Sequence, residues 1–134
     1  MINDESLKFH HIGILTSDIE QSKKDLKSFG FSFNKDVFDP LQKVDLSFGV
    51  NSDHLLIELV SPRKDSKILN LLKKNGVGPY HICFEVSSIR NLEPILKKEG
   101  YLCTLKPTKA IAFDNKLISF YFNKNLGLIE LLER

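Results

Sequence analysis

The sequence predicts an α+β fold in which two tandem β-α-β-β-β modules form an eight-stranded curved sheet. The segment His10–Phe31, HHIGILTSDIEQSKKDLKSFGF, has a counterpart at Tyr80–Tyr101, YHICFEVSSIRNLEPILKKEGY, offset by 70 residues without a gap. The tetrapeptide LIEL occurs at Leu56–Leu59 and again at Leu128–Leu131, an offset of 72 residues. Internal repetition of this kind is a signal of architecture, and each copy combines one helical pattern with several short apolar strand patterns.

The first repeat, at about residues 8–62, begins with a strand at residues 8–15 that alternates apolar and polar positions. Ser17 or Asp18 can then cap a helix that runs to about residue 29, where Gly30 ends it. Three further strands are expected after the helix, at residues 31–38, 42–50 and 54–60.

A linker with a short helix at about residues 67–75, capped by Ser66 and ended by Gly76, leads to the second repeat, residues 79–133. Its first strand is expected at residues 79–86. Pro94 should disturb the helix that follows, so the regular part is expected near Asn91. The remaining strands are expected at residues 101–105, 117–123 and 126–132. Both repeats together are expected to form a single domain, residues 1–134.

Length and composition fit a small globular protein with 42% hydrophobic and 27% charged residues in a chain of 134. No apolar run approaches the roughly 20 residues of a membrane span, and the polar N-terminus is not a secretory signal. A net charge of +2 is too small to indicate nucleic acid binding. Cys83 and Cys103 lack a metal-type spacing. We therefore expect a cytoplasmic protein without a nucleic acid or membrane partner.

Each repeat opens with a histidine on one apolar strand and closes with a glutamate on another, namely His11 with Glu58 and His81 with Glu130. Modules related by a pseudo-twofold axis would bring all four to one place. A glutamate within an apolar strand is costly unless it is exposed, paired or bound to metal. The four residues therefore predict a metal cleft for a divalent ion such as Zn, Co, Ni or Mn. The alternative is that the histidines are satisfied within the sheet and the glutamates pair with lysines.

Three segments resemble the vicinal oxygen chelate superfamily, which includes glyoxalase I and methylmalonyl-CoA epimerase, with the epimerase as the closer match. They are HHIGIL at the first strand, GPYHICFEV at Gly78–Val86 and LGLIELLE at Leu126–Glu133. The resemblance implies a divalent metal, a small-molecule substrate with an acyl-CoA thioester as one candidate, and a homodimer. It implies metal ligands at His11, His81 and Glu130, with Glu58 at the remaining ligand position.

The resemblance also implies proton transfer next to a carbonyl group, with Glu130 as one proton carrier. The epimerase has a second, catalytic glutamate in a turn, and here the turn DPLQKV places Leu41 at that position. Asp39 and Asp45 are nearby candidates for a replacement acid, although a turn or strand-surface role suits both. Strict methylmalonyl-CoA epimerase activity is therefore doubtful. Glyoxalase I-type lactoylglutathione lyase chemistry and non-enzymatic binding of a small molecule are the alternatives to a metal-dependent isomerase or lyase.

Overall fold

The computed structural model describes residues 2–5 and 7–134. Within them lie nine strands, three α-helices and one 3-10 turn, in the order β1 (Lys8–Leu15), α1 (Ile19–Lys27), β2 (Ser32–Phe33), β3 (Val37–Asp39), β4 (Val44–Val50), β5 (Leu56–Pro62), α2 (Ile68–Asn75), β6 (Gly78–Val86), α3 (Ile89–Lys98), β7 (Leu102–Ala110), the 3-10 turn Ile111–Phe113, β8 (Lys116–Asn123) and β9 (Gly127–Glu133). The α+β class and the paired modules are confirmed.

The chain divides into two compact units, one comprising His11–Tyr80 and the other comprising the residues through His10 together with His81–Arg134. In the unit His11–Tyr80, β1 runs parallel to β5, β5 is antiparallel to β4, and β4 pairs with both β2 and β3. In the other unit, β6 runs parallel to β9, β9 is antiparallel to β8, and β8 is antiparallel to β7. The two sheets therefore have the same topology, as the repeat predicts.

The expected count of eight strands is wrong because the segment 31–38 forms two strands instead of one. β2 pairs with the end of β4 at Gly49 and Val50, whereas β3 pairs with its beginning. Between them, the Asn34 backbone N–H donates to the Phe48 carbonyl at 2.9 Å, and its carbonyl accepts from the Ser47 hydroxyl at 2.9 Å. The chain thus leaves the regular ladder at residues 34–36 and rejoins it in β3.

The helix α1 begins as the sequence predicts, because the Asp18 carboxylate accepts from the Gln21 backbone N–H at 3.0 Å. The expectation for α3 is wrong: it is helical from Ile89 onwards and includes Pro94. Its N-terminus is held by Ser88, whose hydroxyl accepts from a backbone N–H in the first turn, and by the Glu133 carboxylate, which accepts from the Ile89 N–H at 3.0 Å. Two caps and three buried apolar side chains offset the hydrogen bond that proline removes.

The second module packs α3 onto one face of its sheet. That face holds the buried residues Val86, Ile89, Leu92, Leu96, Tyr121, Ile129 and Leu131. A smaller apolar cluster, Cys83, Ala110, Ile118, Phe120 and Leu132, contains the alternate residues of the same strands. Because Glu130 lies between Ile129 and Leu131 in β9, strand alternation places it on the face of the smaller cluster, away from α3.

The N-terminal segment packs within the same unit as the second module. The Asp4 carboxylate accepts from the backbone N–H and from the hydroxyl of Ser87, both at 3.0 Å. The Phe9 ring meets the Phe84 ring edge-on, with centroids 6.1 Å apart. β1 therefore begins in one compact unit and ends in the other, with the change between His10 and His11.

None of the helices formed by the described residues is both long and apolar enough to cross a lipid bilayer.

Candidate metal centre

In the first module, the parallel pairing of β1 with β5 places His11 near Glu58. Gly13 is the register partner of Glu58, so His11 lies two residues before it on the same strand face. The His11 Nε2 atom is 3.5 Å from the Glu58 Oε1 atom. Both side chains are buried, with 0% and 4% of their residue surface exposed. A glutamate buried in the middle of an apolar strand is thus matched by a nitrogen base within ion-pair distance.

The second module repeats this arrangement. Cys83 is the register partner of Glu130, and His81 lies two residues before it on β6. The His81 Nε2 atom is 3.2 Å from the Glu130 Oε1 atom, and the two residues are both 3% exposed. In each module the predicted histidine and glutamate therefore come together through a parallel strand pair, on the sheet face that strand alternation predicts.

Each pair is completed by a phenylalanine ring that the sequence analysis did not single out. The Phe48 ring stands edge-on to the His11 imidazole, with centroids 5.6 Å apart and planes at 85°. The Phe120 ring stands in the same way to the His81 imidazole, at 5.4 Å and 85°. The 72-residue offset carries the signal: Leu-Ser-Phe at residues 46–48 matches Ile-Ser-Phe at residues 118–120.

The donors fit a divalent ion in their chemistry. Imidazole nitrogen and carboxylate oxygen suit Zn, Co, Ni and Mn, and each pair points an Nε2 atom and a carboxylate oxygen at each other within a buried setting. All four side chains belong to the buried His and Glu residues able to ligate a metal ion. Burial of two carboxylates among apolar residues is costly, and a bound cation is one means of offsetting that cost.

A family model matches residues 10–122, most of the chain, and describes the Glyoxalase/Bleomycin resistance protein/Dioxygenase superfamily. The chain belongs to this superfamily. A search of curated protein sequences gave no match.

Solved structures of similar fold include other proteins of nearly the same length. A hypothetical protein of Bacillus halodurans has a TM-score of 0.84 at 24% identity, covering 97% of this chain and 96% of that one. The methylmalonyl-CoA epimerase of Mycobacterium tuberculosis has a TM-score of 0.82 at 21% identity, covering 99% and 92%. A glutamate-to-leucine variant of the Streptomyces coelicolor epimerase, in complex with 2-nitronate-propionyl-CoA, has a TM-score of 0.79 at 24% identity, covering 94% and 93%. At these identities the likeness concerns the fold.

The turn that carries Leu41 in this glyoxalase-superfamily chain is tied down by polar contacts. The Asp39 carboxylate accepts from the backbone N–H groups of Leu41 and Gln42 at 2.8 and 3.3 Å. The Ser66 hydroxyl donates to the Gln42 carbonyl at 2.6 Å. The Leu41 side chain is 55% exposed. Asp39 therefore acts as a turn residue, and the exposed tip of the turn carries an apolar group.

The second candidate for a replacement acid is also engaged. The Asp45 carboxylate accepts from the Arg63 guanidinium at 2.9 and 3.2 Å. The same guanidinium lies over the Phe38 ring, 3.8 Å from its centroid. Asp45 thus contributes to a surface cluster at the edge of the first module, as a strand-surface residue.

A charged pair lies farther along the strand that carries His81. Glu85 shares the face of His81 by strand alternation, and its Oε1 atom accepts from the Arg134 Nε and Nη2 atoms at 2.8 and 2.6 Å. This guanidinium lowers the pKa of the Glu85 carboxyl, with smaller contributions from His10 and Lys116. Glu85 is therefore held in its ionised form on the same sheet face as the buried pair of this superfamily member.

Proposed function

We propose that the protein is a metal-dependent isomerase or lyase that transfers a proton at the carbon next to a carbonyl group, in the manner of methylmalonyl-CoA epimerase. The observation that carries the proposal is the repeated, buried His–Glu pair, with Nε2 to Oε1 distances of 3.5 Å in one module and 3.2 Å in the other. Membership of the superfamily supports it.

The proposed metal ligands are His11, Glu58, His81 and Glu130. One module alone offers two ligand side chains, whereas catalytic sites for ions such as zinc use three or more protein ligands. The proposal therefore requires both pairs to bind the same ion. It also explains why each module buries a carboxylate, since a cation offsets the desolvation of both.

The proposed chemistry divides between the ion and the protein. A bound divalent ion supplies Lewis acidity that draws electron density towards a substrate carbonyl oxygen. Glu130 takes the proton from the neighbouring carbon onto its carboxylate, and the C–H electron pair moves into the carbonyl group to give an enolate. Return of the proton from Glu130 regenerates the substrate on the same face. Burial of Glu130 at 3% exposure excludes bulk water from this proton.

An acyl-CoA thioester is the substrate class we propose. The support is the fold shared with epimerases, including one structure described with methylmalonyl-CoA and NH4+. Inversion at the carbon requires a second proton carrier on the opposite face. Leu41 carries no proton, while the carboxylates of Asp39 and Asp45 accept hydrogen bonds within the turn and from Arg63. We therefore expect proton exchange to be faster than inversion.

The test is deuterium exchange from heavy water into propionyl-CoA and methylmalonyl-CoA, followed by mass spectrometry. The wild type should incorporate one deuterium, and Glu130→Gln should reduce the rate by about 10²–10⁴-fold, the usual contribution of a positioned acid or base. Glu93→Gln, on the exposed surface of α3, is the control and should exchange like the wild type. No incorporation by the metal-loaded wild type into any acyl thioester would refute the proposal.

The two alternatives predict different results. Glyoxalase-type lyase chemistry, which the single proton carrier also permits, predicts turnover of the hemithioacetal formed from a 2-oxoaldehyde and a thiol. A non-enzymatic binding protein predicts no exchange and no metal, so elemental analysis of the purified protein separates it from both enzymes.

A further inference from the structure

We infer that Phe48 and Phe120 are positioning residues that fix the ring planes of His11 and His81. The inference rests on the proposed function in one respect, since it assigns the imidazoles as metal ligands. In both modules a phenylalanine stands nearly perpendicular to the histidine ring, at 5.6 Å and 85° in one and at 5.4 Å and 85° in the other.

The strand register fixes each ring beside its whole pair. Phe48 is the antiparallel register partner of Glu58, and Phe120 is the register partner of Glu130. Direct partners in an antiparallel pair point to the same face with short separations between their β-carbons. Each phenylalanine therefore borders both the imidazole and the glutamate of its module, and one side chain can constrain both ligands.

An imidazole needs such a constraint. The lone pair of Nε2 lies in the ring plane, so the direction in which the nitrogen binds a metal depends on the rotation of the ring. That rotation is a broad torsion that the backbone does not determine. The contact from Nε2 to the glutamate fixes one atom of the ring, whereas an edge-to-face aromatic neighbour fixes the plane.

The two copies differ around the phenylalanine but retain it. The residue that follows is Gly49 in the first module and Tyr121 in the second. An added β-carbon at Gly49 would come within 2.4 Å of the Phe33 ring, whereas Tyr121 packs in the apolar cluster beneath α3. The surroundings have therefore diverged while the His–Phe geometry has not, as expected if the ring orients the ligand.

Phe48 is the better residue to test. It is partly exposed, whereas Phe120 is 6% exposed and belongs to an apolar cluster, so truncation of Phe120 would also disturb folding. Phe48→Leu removes the ring, and Phe48→Tyr restores it with a hydroxyl at its edge. Phe29→Leu is the matched control, because Phe29 lies in the same module and is 79% exposed.

The first measurement uses chelator-treated protein without metal, and follows the order parameter of the His11 imidazole C–H bonds by carbon-13 relaxation. Phe48→Leu should lower it, while Phe48→Tyr and Phe29→Leu should keep the wild-type value. The second is a cobalt(II) titration followed by visible absorption. Phe48→Leu should weaken cobalt binding about two- to tenfold, as expected for loss of one edge-to-face contact, and should alter the spectrum. Phe48→Tyr should restore both.

The outcomes separate the two proposals. An unchanged order parameter in folded Phe48→Leu overturns the inference, whether or not cobalt binds. Wild-type cobalt affinity and spectrum in that variant also overturn it. If the wild type binds no cobalt, the proposed metal site is refuted, and the order parameter alone decides whether Phe48 orients the ring.

Discussion

Metal binding should raise the melting temperature of the protein through His11, and the size of the shift can be calculated. A ligand at 100 times its dissociation constant stabilises the folded state by about 2.7 kcal/mol. For 134 residues, an unfolding entropy of about 2.1 cal/mol/K per residue gives about 0.28 kcal/mol/K for the chain. The expected increase is therefore about 10 °C.

The perturbation is His11→Asn, compared with the wild type after removal of metal and again after addition of zinc or cobalt. Because His11 is fully buried, the substitution should lower the metal-free melting temperature as well. The decisive quantity is consequently the shift on adding metal within each variant. This shift should largely disappear in His11→Asn.

The control is His54→Asn. His54 is exposed and has a φ of 62°, which asparagine tolerates. Differential scanning calorimetry of both variants should show a wild-type shift for His54→Asn alone. An undiminished shift in His11→Asn, or a lost shift in His54→Asn, would refute the assignment of His11 as a ligand.

Three further results are expected. Burial raises the pKa of Tyr121 to about 12, so this phenol should ionise about two pH units later than an unfolded one; the resulting stabilisation, up to roughly 3 kcal/mol, is present below pH 10 and lost between pH 10 and 12, and absorbance at 295 nm should show a late-titrating tyrosine absent from Tyr121→Phe. Leu41→Glu should raise epimerisation of methylmalonyl-CoA above a weak wild-type rate, measured by circular dichroism of the thioester, whereas no gain in a folded variant would show that the turn lies outside the reaction site. Sedimentation equilibrium should give a homodimer, and a mass near 15.3 kDa at micromolar concentration would contradict it.

The repeat made much of this fold and site predictable. Because the offset aligned His11 with His81 and Glu58 with Glu130, it identified both buried pairs before any strand pairing was known. Asp18 was one of two possible caps, and its carboxylate hydrogen bond in the structure decides between them. Local chemistry and internal comparison therefore sufficed where the determining contacts were close in sequence or duplicated.

Features that depend on distant contacts were missed. The interruption at residues 34–36 involves Ser47, thirteen positions later. The straight start of α3 through Pro94 depends on Glu133, which is separated from Ile89 by 44 positions. Phe48 and Phe120 resembled ordinary core residues, because only the strand register brings them beside the histidines. In each case the sequence contained the residue but not the pairing that gave it a role.

The change of unit within β1 has a consequence for dividing the molecule into fragments. A cut between Tyr80 and His81 would give a first piece carrying the segment 2–10, although Asp4 and Phe9 make their contacts with Ser87 and Phe84 on the second piece. The second piece, prepared alone, would lack that strand and expose Phe84 to solvent. A circularly permuted chain that begins at His81, and continues through a linker from Arg134 into the natural N-terminus, would keep each compact unit contiguous in sequence.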